Sequence, residues 1–258
     1  MSLKPIYEPK GAAKEYGDYA INIYTGCPHR CFYCYSPNVL HRDRERFHTE
    51  VFPRKDIVEA TRRQIEREQI TGKTIHLCFT CDPYPKGFDS SPTREIIKLL
   101  KDSGNHVQIL TKCGESAARD FDLLDENDWF GITYAGYDGE SSEIHYIPNE
   151  EPDSGSPYFR LKALRLAHYH GIKTWVSCEP VINPASVLQF IECADYVDMW
   201  KVGKLNYYPS SVDWKDFGEK VENLLKSKSR TNGIKYYIKE SLRKEMSKEG
   251  AKQLIQNT

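Results

Sequence analysis

Residues 24–36 read YTGCPHRCFYCYS. Three cysteines, Cys27, Cys31 and Cys34, stand four and then three residues apart, just after the β-branched and aromatic run YAINIY (19–24). Thiols grouped this closely in one loop suit a metal centre. A closed zinc site takes four donors, and His29, His41 and His48 are near enough in sequence to supply the fourth. Against zinc, no second C-x2-C or H-x3-H pair follows at finger spacing. A cubane iron–sulfur cluster is the other home for grouped thiolates, and with three protein sulfurs it keeps one iron open to a small molecule.

Composition narrows the setting. The chain has 258 residues, 39% hydrophobic and 28% charged, with a net charge of −1, which is an ordinary globular composition and fits one domain. No apolar run is long enough to span a bilayer, and the polar start MSLKPIYEPKGAAKEYGDY is unlike a signal peptide, so a cytoplasmic, non-membrane protein is expected. In that compartment the eight cysteines stay reduced, and metal binding, catalysis or burial replaces disulfide formation. A near-zero net charge implies no global attraction to nucleic acid. Charge is locally uneven: Lys226–Lys252 carries nine Lys and Arg against three Glu, and Arg42, Arg44 and Arg46 follow the cysteines. Such runs read as a solvated helical face or a phosphate-binding patch.

Working outward from the cysteines, the runs TIHLCF (74–79), HVQILT (106–111), WFGITY (129–134), KTWVSC (173–178) and VDMWKV (197–202) read as buried strands, with YAINIY the first of six. Between them, 56–68, 93–103, 158–170 and 185–194 have helical periodicity. Ser91 with Pro92 and Asn183 with Pro184 signal helix starts, and Gly104 and Gly171 signal stops. Alternating strands and helices predict right-handed crossovers and a parallel sheet. Six units fall short of a closed eight-unit barrel, so an α/β fold with a partial (βα)6 TIM-like barrel, or a doubly wound sheet, is expected. The expected boundaries are an N-terminal extension over 1–18, a core barrel over 19–230, and a C-terminal strand and closing helix over 231–258. The loop 136–157 is the longest irregular stretch and reads as a surface excursion or a lid. Ligands gather at the carboxyl ends of parallel strands, which is where the three cysteines fall.

C-x3-C-x-φ-C, with Tyr33 in the φ place and a βα chain around it, resembles the radical S-adenosylmethionine (SAM) superfamily. The stretches 7–35, FTCDPYP (79–85) and ILTK (109–112) are most similar to the subgroup that includes spore photoproduct lyase. The resemblance implies a 4Fe–4S cluster held by Cys27, Cys31 and Cys34 and reductive cleavage of SAM to a 5′-deoxyadenosyl radical that takes hydrogen from a substrate. Carried over by position, Thr80, Cys81 and Asp82 take the place of the segment that binds the SAM amino group, and Lys112 that of a lysine pairing with its carboxylate. Thr133 matches a hydroxyl residue at the ribose, Tyr33 presents backbone to the adenine, and Glu179 and Val181 complete the adenine and ribose contacts. The lyase also uses a cysteine to return a hydrogen atom; Phe79 takes that place here, and Cys78, Cys81 and Cys113 are the nearby candidates. On an extended strand Cys78 and Cys81 would face opposite ways unless the strand ended between them. Cys193 reads as packing. No cysteine follows Cys193, unlike peptide-modifying members with C-terminal auxiliary clusters. The implied electron donor is a reduced flavodoxin or ferredoxin. Nucleic acid or a nucleotide is the substrate suggested by the lyase, a monomer is expected, and a zinc- or cluster-stabilised binding or sensing module is the alternative.

Overall fold

In the computed structural model, which describes residues 4–137 and 149–247, eight strands form one sheet in sequence order. They are β1 (Ile6–Tyr7), β2 (Tyr19–Ile21), β3 (Thr74–Leu77), β4 (His106–Thr111), β5 (Trp129–Thr133), β6 (Lys173–Cys178), β7 (Met199–Val202) and β8 (Lys235–Ile238). β1 runs antiparallel to β2, and every later neighbour pairing is parallel. The crossovers carry helices α1 (Ser36–Val39), α2 (Arg44–Thr49), α3 (Ile57–Glu68), α4 (Ser91–Asp102), α5 (Gly114–Ala117), α6 (Pro157–Tyr169), α7 (Pro184–Cys193) and α8 (Trp214–Asn232), and α9 (Glu240–Met246) follows the last strand. This is the α/β partial barrel that the alternation predicts. Part of the loop 136–157 and part of the C-terminal segment 231–258, namely 138–148 and 248–258, lie outside the described residues, as do residues 1–3.

Burial explains why each run became its element. β4 and β6 are sandwiched between helices and lumen, so they read as continuous apolar runs and span the expected residues. α4 buries Thr93, Ile96, Ile97 and Leu100, one face of a 3.6-residue period. Its cap differs from expectation: Ser90 is the N-cap, and Asp89 accepts hydrogen bonds from the Ser91 amide and hydroxyl. Asn183 caps α7 as expected, accepting from the Ser186 amide at 3.1 Å. β2 stops at Ile21, and Tyr24 instead bridges Pro53. β3 stops at Leu77 because Cys78 turns into the left-handed region at φ 72°.

The sheet is open, and the chain before β2 bridges its two edges. A 3-10 turn, Gly11–Glu15, lies against β7 and β8: Lys201 Nζ donates to the carbonyls of Glu15 (2.7 Å) and Tyr16 (3.1 Å). Lys239 Nζ meets Glu15 Oε2 at 2.7 Å, and Tyr237 and the Glu240 amide donate to Oε1. Burial, with the Lys239 charge next, lowers the Lys201 pKa to about 8. At the centre, the indole of fully buried Trp175 reaches across β5 and donates to the Ile109 carbonyl on β4 at 2.9 Å. Only glycine at 131 allows this, since a Cβ there would lie 2.3 Å from Trp175 Nε1.

Gly131→Ala is therefore expected to cost about 1–3 kcal/mol through overpacking, read as a lowered thermal midpoint together with a change in tryptophan emission. An unchanged midpoint would show that Trp175 relocates freely. His76, 1% exposed on β3, has neither ring nitrogen hydrogen-bonded, and burial, helped by the Lys201 charge, lowers its pKa to about 3. The unfolded chain takes up this proton near pH 6.5 and the folded chain does not, so the contribution is complete above about pH 6.5 and is lost as pH falls toward 3, at about 1.4 kcal/mol per pH unit. His76→Phe should accordingly lose about 2 kcal/mol less than the parent between about pH 7 and pH 5 in denaturant titrations. Parallel pH slopes for the two proteins would refute this.

Candidate metal centre and ligand cavity

A cavity of about 460 Å³ opens at the carboxyl ends of the strands and is walled on one side by Cys27, Cys31 and Cys34. The loop that carries them is built by short-range polar contacts from α2. Arg44 donates to the carbonyls of Cys31 (2.7 Å), Phe32 (2.7 Å) and Cys34 (3.1 Å). His48 Nδ1 donates to the Cys27 carbonyl at 2.7 Å, and Glu45 holds Arg30 bidentately at 2.6 Å. Gly26 allows the approach, because a Cβ there would lie 2.2 Å from the Phe47 carbonyl oxygen. Arg42 likewise donates to the Thr25 carbonyl. Two of the three arginines that followed the cysteines in sequence thus turn inward, and Arg46 pairs with Glu50.

The strand ends supply the facing wall. Asp82, 7% exposed, accepts from the Thr111 hydroxyl (2.7 Å), the Lys112 amide (2.8 Å) and the Tyr84 amide (2.8 Å). His29 Nδ1 lies 3.6 Å from Asp82 Oδ2, and its Nε2 accepts from the Lys86 amide, which fixes the tautomer with the proton on Nδ1. Burial lowers the His29 pKa to about 4, so this imidazole is neutral. Thr80 lines the cavity, and its Oγ1 is buried without a hydrogen-bond partner among the described residues. Lys112 also lines it; among the described residues its ammonium has no carboxylate partner and stands 5.6 Å from the Tyr33 ring centroid.

Of the other residues singled out in sequence, Tyr33, Thr133, Glu179, Cys78 and Cys81 line the same cavity. Cys113 and Val181 are buried off its wall, and Cys193 is exposed. Both Glu179 oxygens are engaged, Oε2 by Tyr16 (2.8 Å) and Lys239 (3.0 Å), Oε1 by Asn206 (3.3 Å). Tyr16, Lys239 and His76 line the cavity without having been singled out. A histidine or lysine inside an otherwise apolar strand run, as at His76 and Lys201, is the signal that marks such lumen residues. Tyr16 and Lys239 carry none, since only the tertiary fold brings them together. The segment 149–157 closes the back of the cysteine loop: Tyr33 donates to Glu151, itself paired with buried Arg160 at 2.5 Å, and the Glu150 carbonyl accepts from the Phe32 amide.

The donor set can be tested against the two metal centres. Tetrahedral zinc with Zn–S bonds of about 2.3 Å draws its sulfurs to within about 3.8 Å of one another. Among the described residues, the group with three ligand atoms within 4.8 Å of one another is His106, Asp125 and Asp128, and the cysteine trio is not drawn that tight. The histidines do not close the site either. His29 is committed to Asp82 and Lys86, His41 is exposed, and the Nε2 of His48, free of hydrogen bonds among the described residues, does not come within 4.8 Å of a pair of cysteine sulfurs that are themselves that close. Burial pushes the Cys31 thiol up to about 12, so a thiolate there calls for a cationic centre. Three spread sulfurs with no fourth side chain fit a cubane with one free corner.

Comparison with known proteins agrees. The Radical SAM superfamily model matches residues 21–184. An uncharacterized protein of Methanocaldococcus jannaschii is 28% identical over 175 residues, covering 67% of this chain and 64% of that protein. One from Acidianus two-tailed virus is 28% identical over 196 residues, covering 72% and 63%. The chain thus spans less than two thirds of the length of either relative. Among solved structures, spore photoproduct lyase complexed with dinucleoside spore photoproduct superposes with TM-score 0.63 at 14% identity, over 90% of this chain and 79% of the lyase. Streptococcus suis SuiB bound to S-adenosylmethionine gives 0.61 at 9% identity, over 85% and 49%. With well over half its length matched by that family, and its three grouped cysteines facing a cavity at the strand ends, the chain belongs to the radical SAM superfamily.

Proposed function

We propose that Cys27, Cys31 and Cys34 hold a 4Fe–4S cluster and that the adjoining cavity binds SAM. The carrying observation is the Lys112 ammonium, which faces the cavity that the cysteines line and has no carboxylate partner among the described residues. A cation in that position stabilises a ligand carboxylate. The Thr80 hydroxyl, on the same cavity and without a hydrogen-bond partner among the described residues, offers an acceptor to an ammonium. When bound, such a cluster and SAM supply one-electron cleavage of the sulfonium and hydrogen abstraction from a substrate.

The chain's own residues divide the remaining work. Asp82 positions its neighbours rather than accepting from the ligand, since its oxygens already accept from the Lys112 amide and the Thr111 hydroxyl. Tyr33, Thr133, Glu179 and Val181 are assigned to adenine and ribose, with Glu179 acting from within its Tyr16 and Lys239 contacts and Val181 through packing. Cys81 and Cys78 are the hydrogen-atom donors that the cavity favours, and Cys113, off its wall, is the third candidate. A nucleic acid or nucleotide is the proposed substrate, as for a DNA-repair lyase. The fold likeness to the lyase supports this, as do the exposed rings of Tyr35 and Tyr207 at the cavity edge, which suit base stacking. The electron donor is a reduced flavodoxin or ferredoxin. A cytoplasmic setting suits such a centre, and among the described residues no helix is long and apolar enough to cross a membrane.

Anaerobic reconstitution with iron and sulfide should give brown protein that releases 5′-deoxyadenosine on strong reduction. Cys31→Ala should lose both the colour and the product. Lys112→Ala should keep the colour and bind SAM about tenfold to hundredfold more weakly, the worth of a hydrogen bond to a charged group. Colourless protein with stoichiometric zinc, or parent-like SAM affinity in the lysine variant, would overturn the assignment. Deuterium passing from a labelled oligonucleotide into 5′-deoxyadenosine would identify the substrate class.

A further inference from the structure

Beyond the metal loop, a second pair of thiols shares the cavity. β3 ends at Leu77, and Cys78 at once adopts a left-handed backbone, φ 72°, which side chains other than glycine rarely take. The next turn wraps around Asn22, whose Oδ1 accepts from the amides of Phe79 (2.8 Å) and Thr80 (2.9 Å). The result places Cys78 and Cys81 on the wall of one cavity, near enough for each thiol to act on the ionisation of the other. A continuous strand would have pointed the two sulfurs further apart.

The surroundings differentiate the two sulfurs. Burial, with the neighbouring Cys81 thiol next, raises the Cys78 pKa. Burial acts on Cys81 as well, but the Cys78 thiol, the Tyr24 amide and the Arg54 charge together outweigh it, and the Cys81 pKa is lowered. The Nε of Arg54 is buried without a hydrogen-bond partner. Cys78 is 5% exposed and Cys81 half-buried, and the cavity that both line reaches the surface at Tyr35 and Val39, 44% and 60% exposed.

We propose that Cys78 and Cys81 form a redox-active dithiol that exchanges with small disulfides, Cys81 acting as the attacking thiolate and Cys78 as the resolving thiol. The Cys81 thiolate attacks one sulfur of a disulfide RS–SR, forming a mixed disulfide and releasing RS⁻. Cys78 then gives up its proton and attacks Cys81 Sγ, forming the Cys78–Cys81 disulfide and expelling the second RS⁻. Two protein thiols are oxidised, one small disulfide is reduced to two thiols, and the two protons leave with the products. The inference stands on this turn alone and does not require the radical chemistry proposed above.

The test treats anaerobically reconstituted full-length protein with hydroxyethyl disulfide, alkylates the remaining thiols, and maps tryptic peptide 74–86, whose cysteines are Cys78 and Cys81. The expected product is that peptide with an internal disulfide, reversed by dithiothreitol. Cys78→Ser should halt at a mercaptoethanol adduct on Cys81, and Cys81→Ser should slow the first step by about tenfold or more. Recovery of the parent peptide with both thiols free, or with an adduct on each, overturns the proposal. So does a Cys81→Ser variant that reacts as fast as the parent. Loss of SAM cleavage leaves this peptide readout unaffected, so the two readings fail separately.

Discussion

The carboxylate of Asp82 holds the ligand-binding end of the molecule together. It accepts from the hydroxyl that ends β4, from the Lys112 amide one residue later and from its own turn at Tyr84, while facing His29 from the cysteine loop. Hydrogen bonds to a charged group are worth about 1.5–3 kcal/mol each when nothing else satisfies the donors. Three of them on one buried carboxylate lock the ends of β3 and β4 together, and the His29 imidazole, 3.6 Å from the same group, sets the cysteine loop against them. Parallel strands leave their carboxyl ends as separate loops, and a shared acceptor gives those loops one geometry.

A second constraint lies at the seam. An open sheet leaves two edge strands, which proteins must cover or blunt. Here the cover is polar. The 3-10 turn Gly11–Glu15 offers backbone carbonyls to Lys201 and Lys239, and the Glu15 carboxylate bonds to β8 and the start of α9. Seating two lysines inside a barrel is costly, as the lowered pKa of Lys201 records, and direct ion pairs to Glu15 and Glu179 offset that for Lys239. The same contacts place Tyr16 on the cavity wall, so closing the seam also shapes the ligand site.

How much of this was legible follows from what each residue answers to. β4 and β6 answer to burial on both faces, which writes itself as an unbroken apolar run, and their ends agree with the reading. β3 ends two residues early because Cys78 adopts a backbone that residue type does not announce. The cysteine loop was legible from thiol spacing, but its scaffold was not. Arg44 looked like one of three surface charges, and only the fold turns it onto three carbonyls of the motif. β1, two residues long, has no periodicity to read, and the pairing of Glu15 with Lys239 spans most of the chain.

Electrostatics links scaffold to chemistry. A buried thiol wants a proton or a cation, and burial drives Cys27 and Cys31 toward the protonated form. Arg44 spends its donors on carbonyl groups, and Arg160 is matched by Glu151. Lys112, on the same cavity, has no carboxylate partner among the described residues, and its charge acts on the Cys31 thiol. Under the proposed cluster assignment, binding would displace the protons that burial holds on Cys27 and Cys31, so that metal uptake and proton release there would be one event. Because the carbonyls of the same loop are already fixed by Arg44 and His48, that event needs little rearrangement of the backbone. In that assignment the fold supplies the ligand geometry in advance and leaves the charge to the metal.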